Sequence, residues 1–310
     1  MPGIPVLLDT DIGTSLDDTL CLAYLAGSPG FEIVGVSTVT DRSGHRGEYA
    51  RSILRHYGVD APVVAGAERS VSGKTMQPKL LSGLPTVLSE PPDPPGRPGS
   101  FAALFTETLS RYGEDLVVLS IGPFTNLSAA GLGVLGSRNP SSRPRLVSMA
   151  SSLSGEIEWN VFLDPEAAAD VLAPGPGAPS GGASPFRERT IVPIETTRRM
   201  TMTAEEAMDR LPRHLTAPFG DLSDHPRHPG EVVLHDPLAA HILLAPEHCT
   251  YRPGVPEIVL GTDPETRGRS RFREAGALAA GEQVAGQGSV VAAVDVDREA
   301  ALSAILSALA

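Results

Sequence analysis

The sequence predicts an α/β protein: a mainly parallel central sheet, open and Rossmann-like, with helices on both faces. Three observations carry that prediction. Short Val/Ile/Leu runs recur along the chain, several of them continuous rather than alternating, as strands buried on both faces must be. Segments of helical patterning stand between them, a β-then-α rhythm that implies parallel strands joined by right-handed crossovers. Four carboxylates, Asp9, Asp11, Asp17 and Asp18, crowd the turn after the first apolar run. The carboxyl ends of strands are where open α/β sheets bind ligands.

In chain order, strands are predicted at Val6–Leu8, Ile33–Val39, Val63–Ala65, Leu116–Ser120, Leu146–Met149 and Thr190–Ile194. Helices are predicted at Thr19–Ala26, Glu48–His56, Ala102–Tyr112 and Pro165–Leu172. In the last third, His235–Pro246 reads as helix, Glu257–Gly261 and Ser289–Val296 as strands, and Arg298–Ala310 as a closing helix. Pro91–Ser100 and Pro174–Pro185 are rich in Pro and Gly and read as surface loops. The strand pattern resumes beyond each and no internal repeat is visible, so the chain reads as a single domain over residues 1–310.

A formal net charge of −12 leaves no basic stripe to neutralise phosphates, which argues against nucleic acid and acidic membranes as partners. The two cysteines, Cys21 and Cys249, are far apart and read as reduced thiols of a cytoplasmic protein. Neither a signal-peptide pattern nor an apolar run of membrane-spanning length is seen. The expected partner is a small molecule.

Like charges packed as closely as Asp9, Asp11, Asp17 and Asp18 raise one another's pKa. A divalent cation relieves that repulsion, and oxygen ligands with no nearby Cys or His favour Ca²⁺ or Mg²⁺ over zinc. One acid of the pair Asp17-Asp18 could simply cap the following helix. The Asp9-Thr10-Asp11 segment also resembles the Asp-x-Asp turn of haloacid-dehalogenase-type phosphatases. There, however, a Thr stands two residues on, where this chain has Gly13, and that scheme has no place for Asp17-Asp18. A second feature, His235-Asp236-Pro237 directly after the apolar Val232-Val233-Leu234, offers a further metal ligand and an imidazole.

With these residues in view, the sequence resembles the inosine-uridine preferring nucleoside hydrolase family. The resemblance is carried by Asp9-Thr10-Asp11-Ile12-Gly13 with Asp17-Asp18, and by Ile121-Gly122-Pro123-Phe124-Thr125-Asn126. Glu158-Trp159-Asn160-Val161-Phe162-Leu163-Asp164-Pro165-Glu166-Ala167-Ala168 and His235-Asp236-Pro237 complete it. These segments stand in the family's order, with similar spacing, from about residue 4 to about residue 305. The resemblance implies Ca²⁺-dependent hydrolysis of the N-glycosidic bond of a ribonucleoside or related ribosyl compound, by a homodimer or homotetramer. It implies Asp11 as a Ca²⁺ ligand and as the base that activates water. Asp18, Asp236 and the backbone carbonyl of Ile121 are implied as further ligands, and Asp17 as the partner of a ribose hydroxyl. Met149, Glu158 and Asn160 would contact the sugar, His235 would face the leaving base, and Asp9 would support the metal site from behind. Trp159 reads as core packing. These residue types suit the chemistry: carboxylates stabilise an oxocarbenium-like transition state, and an imidazole can protonate a departing base near neutral pH. A ribosyl-binding protein of this fold without turnover, and an Asp-x-Asp phosphatase, are the alternative readings.

The chain departs from the family pattern at four places. Two extra residues lie between Asp11 and Asp17. Asp41-Arg42 replaces a Gly-Asn that helps hold the sugar. A His-Gly segment expected around residues 75–85 is absent, with Lys74 opening that stretch. The run between Met149 and Glu158 is short and lacks an Asn that would meet the 5′-hydroxyl. These departures imply an unusual nucleoside or related ribosyl compound, of which one altered at the 5′ position is one form. Arg42, Lys74 and Arg198 are candidate partners for a 5′-phosphate, and base contacts are expected from loops such as Pro212–Glu231.

Overall fold

Val6, Leu7 and Leu8 show how the chain builds its centre. All three are fully buried, with Val6 and Leu8 in one apolar core and Leu7 in a second. Successive side chains of a strand point to opposite faces, so a continuous apolar run is what a sheet covered on both faces requires. Val117 and Leu119 repeat the division, facing the first core while Val118 faces the second. The structure, a computed structural model, describes residues 3–41, 44–74, 99–128, 142–173, 184, 186–222, 230–277 and 290–310. Most of the two Pro/Gly-rich segments, Pro91–Ser100 and Pro174–Pro185, lies outside these residues, as does Arg42.

The strands are β1 (Ile4–Thr10), β2 (Phe31–Thr38), β3 (Val63–Ala65), β4 (Val117–Ser120), β5 (Arg145–Met149), β6 (Glu188–Val192), β7 (Thr201–Thr203), β8 (Glu231–Val233), β9 (Cys249–Ile258), β10 (Ser270–Glu274) and β11 (Val290–Val296). The helices are α1 (Leu16–Gly27), α2 (His45–His56), α3 (Phe101–Tyr112), α4 (Trp159–Leu163), α5 (Pro165–Leu172), α6 (Ile194–Thr197), α7 (Ala204–Arg210), α8 (Arg213–Thr216), α9 (His235–His241) and α10 (Arg298–Leu309). The large sheet runs β10-β9-β11-β6-β5-β4-β1-β2-β3, and β7 pairs with β8 apart from it. From β3 across to β11 every pairing is parallel. Beyond β11, β9 and β10 close that edge antiparallel. Leucines of α1 and α10 fill the core on one face, and residues of α3 and α5 fill the other.

The chain leaves β1 towards β2 and β3, then returns to lay β4, β5 and β6 on the other side of β1. The strand order therefore reverses between β1 and β4, and loops diverging from such a point open a crevice above the sheet. Gly122, just past β4, keeps that crevice narrow. A Cβ there would lie 2.9 Å from the backbone nitrogen of Asp11 and 2.8 Å from Val39 Cγ1.

Three predictions fail in the last third. The helix predicted over His235–Pro246 ends at His241. The backbone then turns through i→i+3 bonds from Leu243 to Ala240 and from Leu244 to His241. The strand predicted at Glu257–Gly261 overlaps only the tail of β9, which carries Pro253, Gly254 and Pro256 before it, residues that ordinarily argue against a paired strand. The short strands β7 and β8 and the edge strand β10 were not predicted. Helices α1 and α9 pack side by side, and their C-terminal ends are tied by Tyr24 Oη to His241 Nδ1 and by His241 Nε2 to His248 Nδ1, each at 2.9 Å. Burial, with His248 beside it, pushes His241 down to about 4, so its ring is neutral in this chain of bonds. No helix among the described residues is long and apolar enough to cross a membrane.

Replacing Gly122 with Ala should force the turns after β1 and β4 apart, costing about 1–3 kcal/mol of stability. A urea denaturation midpoint equal to that of the unmodified protein would show that the crevice has room to spare.

Candidate active site

The acid turn begins where β1 ends. Gly13 adopts φ +96°, a left-handed conformation open to glycine at little cost, and α1 starts at Leu16 with Asp17 and Asp18 in its first turn. Amide N–H groups and the helix dipole favour negative charge there. Asp18 Oδ1 accepts from Thr10 Oγ1 at 2.6 Å and Oδ2 from Ser15 Oγ at 3.3 Å. Neither aspartate accepts a capping bond from the helix at its Ncap, Ser15, which itself makes no side-chain cap.

Packing of α9 against α1 carries Asp236 to the same place. Carboxylate oxygens of Asp17, Asp18 and Asp236 lie within 4.8 Å of one another, the group of this kind found among the described residues. Burial, then the neighbouring charges of Asp11 and Asp17, raises Asp18 well above its ordinary range. Burial, with Asp17 and Asp18 next, does the same to Asp236. A buried, all-oxygen donor set under mutual repulsion is what a hard divalent cation neutralises, so these residues fit the metal that the sequence implies. Asp11 lines the same cavity but stands outside the group of three, and Asp17 takes its place there.

Behind the turn lies Arg46, which is 1% exposed. Its Nη1 donates to the backbone carbonyls of Asp11 and Ile12, the latter at 2.7 Å, and to Thr14 Oγ1 at 2.8 Å. Its Nε donates to the Thr40 carbonyl at 3.3 Å. The guanidinium thus fixes the backbone of the acid turn and lowers the cost of charge on Asp18. Asp41 turns away from the cavity: its carboxylate accepts from Thr38 Oγ1 at 2.9 Å and from the backbone N–H groups of Arg46 and Gly47, holding the start of α2. That is the physical outcome of the Asp41-Arg42 departure.

One cavity of about 380 Å³ is lined by Asp11, Asp17, Asp18, Ile121, Met149, Glu158, Asn160, His235 and Asp236, every predicted site residue except Asp9. Asp9 lies beneath it, fully buried. Its Oδ1 accepts from Ser37 Oγ at 2.5 Å and Asn126 Nδ2 at 2.7 Å, and its Oδ2 has no hydrogen-bond partner. Burial raises Asp9 to about 7. Asn126, from the predicted Ile121–Asn126 motif, also reaches the Thr38 carbonyl and so knits the ends of β1 and β2 to the loop after β4.

Glu158 caps α4: its carboxylate accepts from the backbone N–H groups of Asn160 at 2.7 Å and of Val161 and Ser151 at 3.1 Å. Burial nevertheless raises it to about 7. Asn160 Nδ2 donates to the carbonyls of Ile121 at 3.2 Å and Met149 at 3.0 Å, bridging the loops after β4 and β5. His235 Nδ1 is 2.6 Å from Thr197 Oγ1.

Trp159 corrects its predicted place in the core. It is 42% exposed and lines the cavity, stacked on Phe162 with ring centroids 5.6 Å apart. Ile157, Ile194, Thr14 and Ser15 also line the cavity and were not singled out from the sequence. The apolar step of two residues across Ile157 and Trp159, on either side of Glu158, was the available signal. Of the suggested phosphate partners, the two described ones do not line the cavity: Lys74 is exposed, and Arg198 pairs with Glu156 on the surface. A smaller neighbouring cavity shares Ser15 and Asp17 and reaches Leu222, Glu231 and Val233, at the ends of the Pro212–Glu231 stretch from which base contacts were expected.

A profile of the inosine-uridine preferring nucleoside hydrolase family matches residues 6–303. Uridine nucleosidase 1 of Arabidopsis thaliana is 24% identical over 280 residues, spanning 81% of this chain and 76% of that one. Pyrimidine-specific ribonucleoside hydrolase RihA of Escherichia coli O9:H4 (strain HS) is 26% identical over 271 residues, spanning 79% and 81%. In fold, the chain is similar to the plant nucleoside hydrolase PpNRh1, with a TM-score of 0.81 at 20% identity over 100% of this chain and 99% of that one. It is also similar to a purine-preferring ribonucleoside hydrolase from Gardnerella vaginalis, with a TM-score of 0.74 at 23% identity over 98% of each.

Arg46→Ala strands the carbonyls of Asp11 and Ile12 in a buried site and should lower unfolding free energy by about 3 kcal/mol, read from urea denaturation. In cation-free protein, the folded state keeps protons on Asp9 and Glu158 up to about pH 7, whereas unfolded chain releases them near 3.8 and 4.5. The folded state then binds more protons between those limits, so stability should fall as pH rises from 4.5 to 7, with Asp18 and Asp236, also raised, acting in the same direction. A rise over that window in chemical denaturation would contradict the burial assigned to these two carboxyls.

Proposed function

This chain belongs to the inosine-uridine preferring nucleoside hydrolase family and is an N-glycosyl hydrolase, and from that premise we propose that it hydrolyses a ribonucleoside or related ribosyl compound to free base and ribose with Ca²⁺ as cofactor. The observation that carries this reading is the convergence of Asp11, Asp17, Asp18, Asp236 and His235 on one cavity of about 380 Å³, a volume suited to a small ligand.

When bound, Ca²⁺ held by Asp11, Asp18, Asp236 and the Ile121 carbonyl would fix the ribose diol and lower the pKa of the attacking water. Asp11 takes that water's proton. Asp17, converging with Asp18 and Asp236, accepts from a ribose hydroxyl. The surrounding carboxylates stabilise positive charge as the glycosidic bond breaks. His235 serves the leaving base through Nε2, because Nδ1 is engaged by Thr197. Glu158 acts by holding the first turn of α4, which sets Asn160 and Met149 against the sugar. Asp9 supports the turn from below. A phosphatase reading leaves Glu158, Asn160 and His235, which line the same cavity, without a role. The assembly expected, a homodimer or homotetramer, rests on family membership and is decided by light scattering. A cytoplasmic setting is supported by the two unpaired cysteines.

Asp11→Asn should depress kcat for base release by about 10²–10⁴-fold, and chelation should abolish turnover until Ca²⁺ is restored. Base release by Asp11→Asn at the unmodified rate would overturn the mechanism. Tight ribosyl binding with no base released by the intact protein would instead identify a binding protein.

A further inference from the structure

Resting on that reading, we infer that the substrate carries an uncharged, apolar substituent at its ribose 5′ carbon, of the 5′-deoxy-5′-alkylthio kind, rather than a free hydroxyl or a phosphate. The acids occupy one end of the cavity and anchor the diol. The leaving base belongs on the side of His235. This imidazole directly follows β8, and the smaller cavity lined by Leu222, Glu231, Val232 and Val233 opens beside it. The remaining wall follows β5, and the 5′ arm of the ribose must meet it.

That wall sets Met149, Ile157 and Trp159 around Glu158, whose carboxylate already accepts from the backbone N–H groups of Ser151, Asn160 and Val161, and most polar groups of the loop beside it bond within the loop or to Glu195. Glu195 accepts from Ser152 Oγ at 2.6 Å, from the backbone N–H groups of Leu153 and Ser154 at 2.8 and 2.9 Å, and from Ser154 Oγ at 2.7 Å. Ser152 Oγ in turn accepts from the N–H groups of Ser154, Gly155 and Glu156. Residues 151–156 do not line the cavity, whereas Met149, Ile157 and Trp159 do. Arg198, one of the cations suggested by sequence, is engaged by Glu156. The wall is also preformed. Trp159 stacks on Phe162, and Gly268, at φ +80°, presses its backbone against Phe162, where a Cβ would come within 2.9 Å of the ring. Arg267 locks that loop to Glu166 through Oε1 at 2.5 Å and Oε2 at 2.7 Å. Among the described residues, a hydroxyl facing such a wall meets polar groups that are already engaged, the Glu158 carboxylate and the Asn160 amide, and a phosphate would add charge to a cavity lined by carboxylates.

Base release is compared among the 5′-hydroxyl, 5′-methylthio and 5′-monophosphate forms of one nucleoside, in both a uracil and a hypoxanthine series. The expected kcat/KM for the 5′-methylthio form is about tenfold or more above the parent, with the monophosphate lowest. Ile157→Ser and Trp159→Ala should each bring that ratio close to one. Trp159 is the chain's only tryptophan, so its fluorescence reads binding without turnover. In Asp11→Asn, titrating the 5′-methylthio nucleoside should shift its emission at lower concentration than the parent does. Preference for the hydroxyl or the phosphate, or unmoved fluorescence, with base still released, overturns this inference and leaves the hydrolase reading standing. Release of base from none of the six compounds fells the hydrolase reading and this inference with it.

Discussion

Carboxylates of Asp17, Asp18 and Asp236 are held within 4.8 Å of one another in surroundings where burial and mutual repulsion both favour protonation. Much of the nearby structure exists to make that arrangement tolerable. The first turn of α1 offers a positive dipole end. Thr10 and Ser15 donate to Asp18. Arg46, buried behind the turn, holds its backbone carbonyls and supplies positive potential that lowers the cost of charge on Asp18.

The cavity is assembled from two supports that share little. Its acidic end depends on the crevice between β1 and β4, on Gly122 and on the packing of α1 against α9. Its other end depends on the loop after β5, organised by Glu195 and Ser152, and on α4, capped by Glu158. Asn160 is the bond between the two, since its amide reaches the carbonyl after β4 and the one at the end of β5.

Elements with an unambiguous period were legible. The run Val6–Leu8 could only be a strand buried on both sides, and the acids after it fell where strand order reverses. Nine predicted site residues proved to line one cavity because the acid turn and Glu158…Asn160 follow strands of the large sheet, and packing of α9 on α1 brings His235-Asp236 to the same place. What stayed hidden depends on partners distant in sequence. Arg46 sits in His45–His56, whose polar composition suggests solvent, and its burial rests on groups remote from it in sequence, among them the carbonyls of the acid turn. Three-residue strands such as β7 and β8 carry no periodicity to read. The prolines of β9 mask a paired strand that the flanking ladders of β10 and β11 stabilise. Trp159 looked like core because nothing local says that its indole forms a wall rather than a filling.

The hairpin loop that carries Gly268 bears on the apolar wall through Phe162 and Trp159 and on the loop after β5 through Arg269, which donates to the Gly155 carbonyl. Substitutions in it reshape the apolar wall from outside and stay clear of the acids. Energetic effects at separated, unshared sites add. A lineage carrying this fold could therefore retune what it accepts at one end by drift in an edge hairpin, with the bond-breaking end under unchanged selection.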